Sequence, residues 1–264
     1  MLGAIVGDIV GSIYEFNNIK HKNFLLFTAN NFFTDDSVMT FAIYSALKKC
    51  KGNYKSLSKL AIKQMKQFGK LYPNSSKISY GTSFANWLNS KNPQPYNSFG
   101  NGSAMRVSPV AYFAKTEEEV KSLSKIVTEV THNHPEGVKG AEATAMAIFL
   151  ALQKNNKEEI KRYIETTYYS LNFNYSDLIE NYTFNETCQN TVPQAIYCFL
   201  ISNSFEDAVR TAISIGGDSD TLCAITASIA EAFYGVPENI EISALNYLDK
   251  RLTKLLLSFK KTFK

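Results

Sequence analysis

Apolar residues recur along this chain at helical spacing and almost nowhere at the every-second-residue spacing of a strand. In 56–70, Leu57, Leu60, Ala61, Met65 and Phe68 fall on one face, with Lys and Gln between them. The stretch 117–131 repeats the pattern with Val120, Leu123, Ile126, Val127 and Val130 behind Glu117-Glu118-Glu119. That acidic opening suits the positive end of a helix dipole. The same spacing predicts helices at 38–49, 137–153, 157–169, 193–202, 205–215, 220–234 and 243–260. From Lys250 to Lys264, Leu252, Leu255, Leu256 and Phe259 share one face, which predicts an amphipathic helix docked by its apolar side. The expected fold class is all-α.

Between the helical stretches, Asn89 to Ser108 carries Pro93, Pro95, Gly100 and Gly102 and little apolar periodicity. A connection this long without structure of its own is usually functional in a compact fold. No Gly/Ser linker, charge block or internal repeat divides the chain, so a single domain spanning 1–264 is expected.

Composition narrows the function classes. The chain has 45% hydrophobic and 20% charged residues and a net charge of +4, ordinary values for a soluble globular protein. The basic residues form no groove with interleaved aromatics, so no nucleic-acid partner is expected. No apolar run approaches the ~20 residues of a membrane span, and Asp8 interrupts the apolar N-terminus with no basic segment before it. The four cysteines (Cys50, Cys188, Cys198, Cys223) lack metal-site or CxxC spacing, which fits free thiols in a cytoplasmic protein. A monomer is expected.

The chemistry concentrates in two acidic clusters about 180 residues apart, Thr34-Asp35-Asp36-Ser37 and Gly216-Gly217-Asp218-Ser219-Asp220-Thr221. Each opens into an apolar helical run. Asp36 or Ser37 suits an N-cap, but capping uses one side chain, and nothing basic close in sequence offsets the adjacent carboxylates. Hard oxygen ligands favour Mg²⁺, Mn²⁺ or Ca²⁺ over zinc. Glycines at 216 and 217 permit a tight turn that aims Asp218 and Asp220 at one centre, with Thr221 adding a hydroxyl.

Three further segments carry polar groups. Ser98-Phe99-Gly100-Asn101-Gly102-Ser103 alternates Gly with Asn and Ser and reads as a backbone cradle for a diphosphate, with Phe99 placed to stack on a base or ribose. Arg106 behind it either joins that cradle or pairs with an internal acid. Thr131-His132-Asn133-His134 joins two helices and supplies either a substrate-bonding His or a cap for the helix at 137. Asp8 and Glu15, seven residues apart, are expected to share a helix face and to be buried beside a positive centre.

Together, GDIVGSIYE, FTDDS, SFGNGSAMR, THNHPEGVKGA and GGDSDT resemble the ADP-ribosylglycohydrolase family, in family order from Gly3 to about Tyr234. The resemblance implies a compact, orthogonal all-α bundle with a dinuclear Mg²⁺ (or Mn²⁺) site. By position, Thr34, Asp35, Asp36, Asp218, Asp220 and Thr221 correspond to metal ligands, with Asp220 placed to bridge the two ions. Glu15 corresponds to the acidic residue beside the scissile ribose, so Glu15, Asp35 and Asp220 are the implied catalytic acids. Ser98, Phe99, Gly100 and Asn101 match the loop that holds the diphosphate and distal ribose, and His132 a substrate-contacting His. Gly102 and Ser103 complete the substrate loop. The implied activity is hydrolysis of the glycosidic bond between ADP-ribose and a modified protein side chain. Alternatives are hydrolysis of a free metabolite such as O-acetyl-ADP-ribose and non-catalytic binding of ADP-ribose or a nucleotide. Ser37 and Ser219 stand where Thr is common, and residues 93–96 and 168–192 depart from the family pattern, which leaves the acceptor open.

Overall fold

A computed structural model describes residues 1–263 and contains fourteen α-helices and no β-sheet among them. In order they are α1 (Leu2–Gly11), α2 (Asp35–Cys50), α3 (Leu57–Leu71), α4 (Thr82–Asn89), α5 (Pro109–Phe113), α6 (Glu117–Thr128) and α7 (Pro135–Leu152). After them come α8 (Lys157–Thr167), α9 (Tyr175–Asn181), α10 (Val192–Ile201), α11 (Phe205–Ser214), α12 (Ser219–Tyr234), α13 (Glu238–Leu245) and α14 (Lys250–Thr262). The all-α expectation holds.

Most predicted helices lie within a few residues of their places, and their ends follow from local chemistry. Thr116 caps α6 by accepting from the Glu119 N–H, and the Glu119 carboxylate reaches back to the Lys115 N–H at 2.7 Å. The helix predicted at 243–260 is instead two. The chain turns at Asn246–Leu248, and Asp249 starts α14 by accepting from Arg251 N (2.8 Å) and Leu252 N (2.9 Å). Apolar spacing continues across that break, which is why periodicity alone joins the halves. Leu252, Leu256 and Phe259 of α14 are buried and Leu255 half-buried, as the amphipathic pattern requires. Lys264 lies outside the described residues. Two short helices, α4 and α9, rise from segments without clear periodicity.

The centre of the molecule is the pair α1 and α12, with α2, α7, α10 and α11 packed on α12. All ten residues of α1 are buried. Gly3, Gly7 and Gly11 recur every four residues and form one stripe against α12. A Cβ on each would lie 2.1 Å from Ala227 O, 2.3 Å from Cys223 O and 2.3 Å from the Asp220 Cα respectively. Only hydrogen fits there, so the two helices touch backbone to backbone. This contact brings Asp8 of α1 beside Asp220 at the N-terminal end of α12, and it sets the geometry of everything described next.

Candidate metal centre

Asp8 is fully buried and holds the start of α2. Its carboxylate accepts from Thr34 N (3.0 Å), Thr34 Oγ1 (2.7 Å), Ser37 N (3.0 Å) and Ser37 Oγ. Thr34 is the N-cap, its hydroxyl accepting from Asp36 N, so neither Asp36 nor Ser37 performs that task as the sequence suggested. The side chains of Asp35 and Asp36 are thereby free to face a cleft. Asp36 also accepts from Thr221 Oγ1 at 2.9 Å, which joins the first acidic cluster to the second.

The second cluster begins in a turn with Gly216 and Gly217 at φ 71° and 82°, in the left-handed region. Asp218 and Asp220 follow at the head of α12 and are both buried. Asn101 donates its Nδ2 to Asp218 Oδ2 at 2.7 Å. Glu15 closes the group: carboxylate oxygens of Glu15, Asp218 and Asp220 lie within 4.8 Å of one another. Glu15 does not share a helix face with Asp8 as expected. The α1 helix ends at Gly11, and Glu15 stands in the turn beyond it.

Six carboxylates therefore crowd one place, and among the described residues none is in an ion pair. The consequence is a collective rise in pKa. Burial first, and the Asp220 charge second, push Asp8 up to about 7 and Glu15 and Asp35 up to about 8. The same two causes raise Asp36 and Asp218 well above the carboxylate range, and burial raises Asp220. Asp220 Oδ1 is buried with no hydrogen-bond partner. An orphaned carboxylate oxygen within uncompensated acids, and hydroxyls of Thr34 and Thr221 beside them, fits divalent cations bound through oxygen.

The acids form one end of a cleft of about 320 Å³. Glu15, Asp35, Asp36, Asp218, Asp220 and Thr221 line it together with Ser98, Gly100, Asn101, Gly102 and His132. Three of the sequence-derived site residues stand back from it. Thr34 lies behind the acids, bonded to Asp8. Ser103 is buried and donates to Gly137 O at 2.8 Å. Phe99 is exposed on the outer side and packs on the His134 ring at 5.2 Å. In the Gly-rich loop the Gly100 N–H is taken by Ser98 Oγ and the Asn101 N–H by Glu186 O, so the cradle is less open than its glycines suggest.

Of the two roles foreseen for this segment, His134 takes that of helix cap. His134 caps α7, its Nδ1 accepting from Glu136 N at 3.1 Å, while His132 lines the cleft. Burial, reinforced by Arg106, holds the His132 imidazole well below its usual pKa and keeps it neutral. Arg106 pairs with no acid among the described residues. It donates to Thr131 Oγ1 at 2.6 Å and packs over Phe84 at 5.5 Å, and burial lowers its pKa to about 10. The residues that sequence reasoning missed are Ser79, Gly81, Thr82, Ser83, Phe84, Tyr96 and Glu186, which together with Met105 and Arg106 complete the lining.

No helix of the described residues is long and apolar enough to cross a membrane, and all four cysteines are buried and unpaired.

Residues 1–261 match the family model for ADP-ribosylglycohydrolase. The human ADP-ribosylhydrolase ARH3 is 26% identical, over 94% of this chain and 88% of its own length. The ADP-ribosylarginine hydrolase Tri1 of Pseudomonas putida is 25% identical, over 91% of this chain and 72% of its own. A solved structure titled "ADP-ribosylglycohydrolase-related protein complex" superposes with a TM-score of 0.68 at 19% identity, covering 100% of this chain and 97% of that one, and so shares the fold. With the match running almost end to end and the clustered acids at its centre, the chain belongs to the ADP-ribosylglycohydrolase family.

Proposed function

We propose that this protein is a hydrolase that uses two divalent metal ions, Mg²⁺ or Mn²⁺, to cleave the glycosidic bond between ADP-ribose and an acceptor, a modified protein side chain. The observation that carries the proposal is the set of buried, unpaired carboxylates, with the orphaned Asp220 Oδ1, opening onto a cleft that also presents Ser98, Asn101 and a neutral His132. The names of the human and Pseudomonas relatives point to the same class of substrate.

Thr34, Asp35, Asp36, Asp218, Asp220 and Thr221 are the residues proposed to hold the ions. Bound there, the ions supply charge that orients ribose hydroxyls and acidifies a water. The protein's own groups perform the remaining tasks. Asp8 holds the first acidic cluster and Asn101 the second through their hydrogen bonds, and Thr221 Oγ1 joins the two by donating to Asp36. The carboxylates stabilise positive charge as it develops on the ribose in an oxocarbenium-like transition state. Burial and the neighbouring acids, Asp220 foremost, push the Glu15 pKa up to about 8. Positive charge bound beside it would lower that value toward neutral pH, which would suit the carboxylate to take a proton from the attacking water or the carboxyl to give one to the leaving atom. Ser98, Gly100, Asn101 and Gly102 form the substrate wall, with His132 as an uncharged hydrogen-bonding partner.

The test is release of ADP-ribose from three substrates, Arg-linked, Ser-linked and O-acetyl-ADP-ribose, with Mg²⁺ or Mn²⁺ and again with EDTA. Metal-dependent release from a protein-linked substrate is the expected result. Release from O-acetyl-ADP-ribose alone assigns a free metabolite as substrate, and ADP-ribose binding with no turnover on any substrate overturns the enzymatic proposal.

A further inference from the structure

The turn that carries Glu15 has no regular structure of its own, yet its carboxylate stands beside Asp218 and Asp220, which belong to a segment about 200 residues away. Something must fix one to the other, and a single side chain makes most of the connections. Asn18 Nδ2 donates to Tyr14 O at 2.7 Å and to Glu15 O at 3.2 Å on its own segment. It also donates to Gly217 O at 2.9 Å and Ser219 Oγ at 3.3 Å across the gap. In return, Asn18 Oδ1 accepts from the Gly217 N–H at 2.8 Å. A carboxamide presents a donor and an acceptor side by side, so it alone among short side chains can pair with both the N–H and C=O of one peptide residue.

The second acidic loop is shaped to receive this contact. A Cβ on Gly216 would lie 2.8 Å from Asn18 Oδ1 and 3.0 Å from Lys20 Nζ. Lys20 adds a second tether by donating to Ile215 O (2.6 Å) and Tyr182 O (2.7 Å). On its other side, a Cβ on Gly217 would lie 2.3 Å from the Tyr182 ring. The glycine pair thus serves two ends: its positive φ makes the turn, and its bare Cα atoms admit the side chains that hold it.

We propose that Asn18 is a positioning residue that fixes Glu15 and the Gly216–Asp220 turn as one unit, so that the acids of the two segments meet the metal and the ribose together. This rests on the function proposed above. Glu15 is the acid with least support from regular structure, whereas Asp35 and Asp36 sit at the head of α2 and Asp218 and Asp220 at the head of α12. Loss of the Asn18 side chain leaves Glu15 without its bond to the opposite turn and leaves the turn leading into Asp218 and Asp220 without its bonds at Gly217 and Ser219, while Asp35 and Asp36 at the head of α2 stay in place. The effect should therefore fall on the step that uses Glu15 and on cation affinity, with substrate affinity through the Ser98–Gly102 wall retained.

The test compares wild-type protein with Asn18→Ala, and with Lys22→Ala as a control. Lys22 lies on the same segment but pairs with Asp207 of α11, away from the acids. For Asn18→Ala the expected results are a loss of about 10- to 100-fold in kcat and in Mn²⁺ affinity by calorimetry. KM should change less than about threefold. Faster hydrogen exchange of the Gly217 amide should accompany these losses. Lys22→Ala should match wild type in all four readouts. If Asn18→Ala fails to fold, Asn18→Asp takes its place, since it keeps the acceptor for Gly217 N–H but loses the donor to the Tyr14, Glu15 and Gly217 carbonyls. Unchanged kcat and Mn²⁺ affinity in the substituted protein, or equal losses in Lys22→Ala, overturn the positioning role. A wild-type protein that binds Mn²⁺ but releases no ADP-ribose refutes the proposed function instead, and the Mn²⁺ and exchange measurements then still decide whether Asn18 holds the two segments together.

Discussion

Substituting Gly11 by Ala should separate the stability of the fold from the function of the acid cluster. The added Cβ would meet the Asp220 Cα at 2.3 Å and Ser219 O at 2.7 Å, with no flexible side chain available to move aside. Relief to ordinary contact requires the head of α12 to retreat by roughly 1 Å. Two effects on stability oppose each other. Overpacking costs about 1–3 kcal/mol, while replacing a helical glycine by alanine returns up to about 1 kcal/mol. The net loss is then about 3 kcal/mol at most, a Tm decrease of no more than about 5 °C for a protein of this size. Cation binding has no such compensation. Ligands must be held within about 0.5 Å of the productive geometry, and a 1 Å shift of Asp220 exceeds that. Mn²⁺ affinity by calorimetry should therefore fall at least about 10-fold.

The informative control is Gly3→Ala, whose Cβ would lie 2.1 Å from Ala227 O on the same helix pair. That contact is two turns, about 12 Å, from the acids, so a similar Tm loss should come with much smaller loss of Mn²⁺ affinity. Gly11→Ala with wild-type Mn²⁺ affinity, or Gly3→Ala with an equal loss, would refute the idea that the glycine stripe places Asp220.

Two other predictions address separate parts of the structure. Replacing Asp249 by Ala removes the cap of α14 and the acceptor for Tyr72 Oη at 2.7 Å, and should cost about 1–2 kcal/mol in denaturant unfolding while leaving Mn²⁺ affinity at the wild-type value. Because His132 is held neutral in the fold but protonates near pH 6.5 when unfolded, the folded state binds fewer protons below that pH and loses stability as pH falls. Relative to His132→Gln, the wild type should lose about 1 kcal/mol more for each pH unit below about 6.5, measured by urea unfolding at pH 5, 6 and 7; parallel curves would contradict this.

The helices were legible because most of them bury one stripe against the core, as in α3, α6 and α14. Apolar spacing reports burial, however, and not continuity, so it passed over the turn at Asn246–Leu248. Asp249 before Lys250 was a cap signal that could have divided the run. The acidic clusters were legible as charge without neighbouring counter-charge. That they belong to one site was read from their shared chemistry and the family resemblance, but the means of bringing them together was not, since it depends on a contact between α1 and α12 made by three glycines, which leave no hydrophobic signature. The spacing Gly3, Gly7, Gly11 was the available trace. Glu15 was misplaced onto a helix because Ile13 and Tyr14 continue the apolar pattern beyond the point where α1 stops. Ser79, Gly81 and Glu186 reach the cleft from irregular segments, and Thr82 and Ser83 from the first turn of the short helix α4, where position follows from tertiary contacts and no clear periodic signal exists. Of the two places left open for Arg106, beside an internal acid or in the cradle, the first is not taken: the fold satisfies it with Thr131 and the face of Phe84.

The central claim is that the buried acids hold the cations on which hydrolysis depends. The most direct measurement is ADP-ribose release from a protein-linked substrate across a Mg²⁺ titration, for wild type and for Asp220→Asn. The account predicts release that rises with Mg²⁺, vanishes in EDTA and is abolished in Asp220→Asn at every Mg²⁺ concentration. Full turnover by Asp220→Asn, or by the wild type in EDTA, would contradict it.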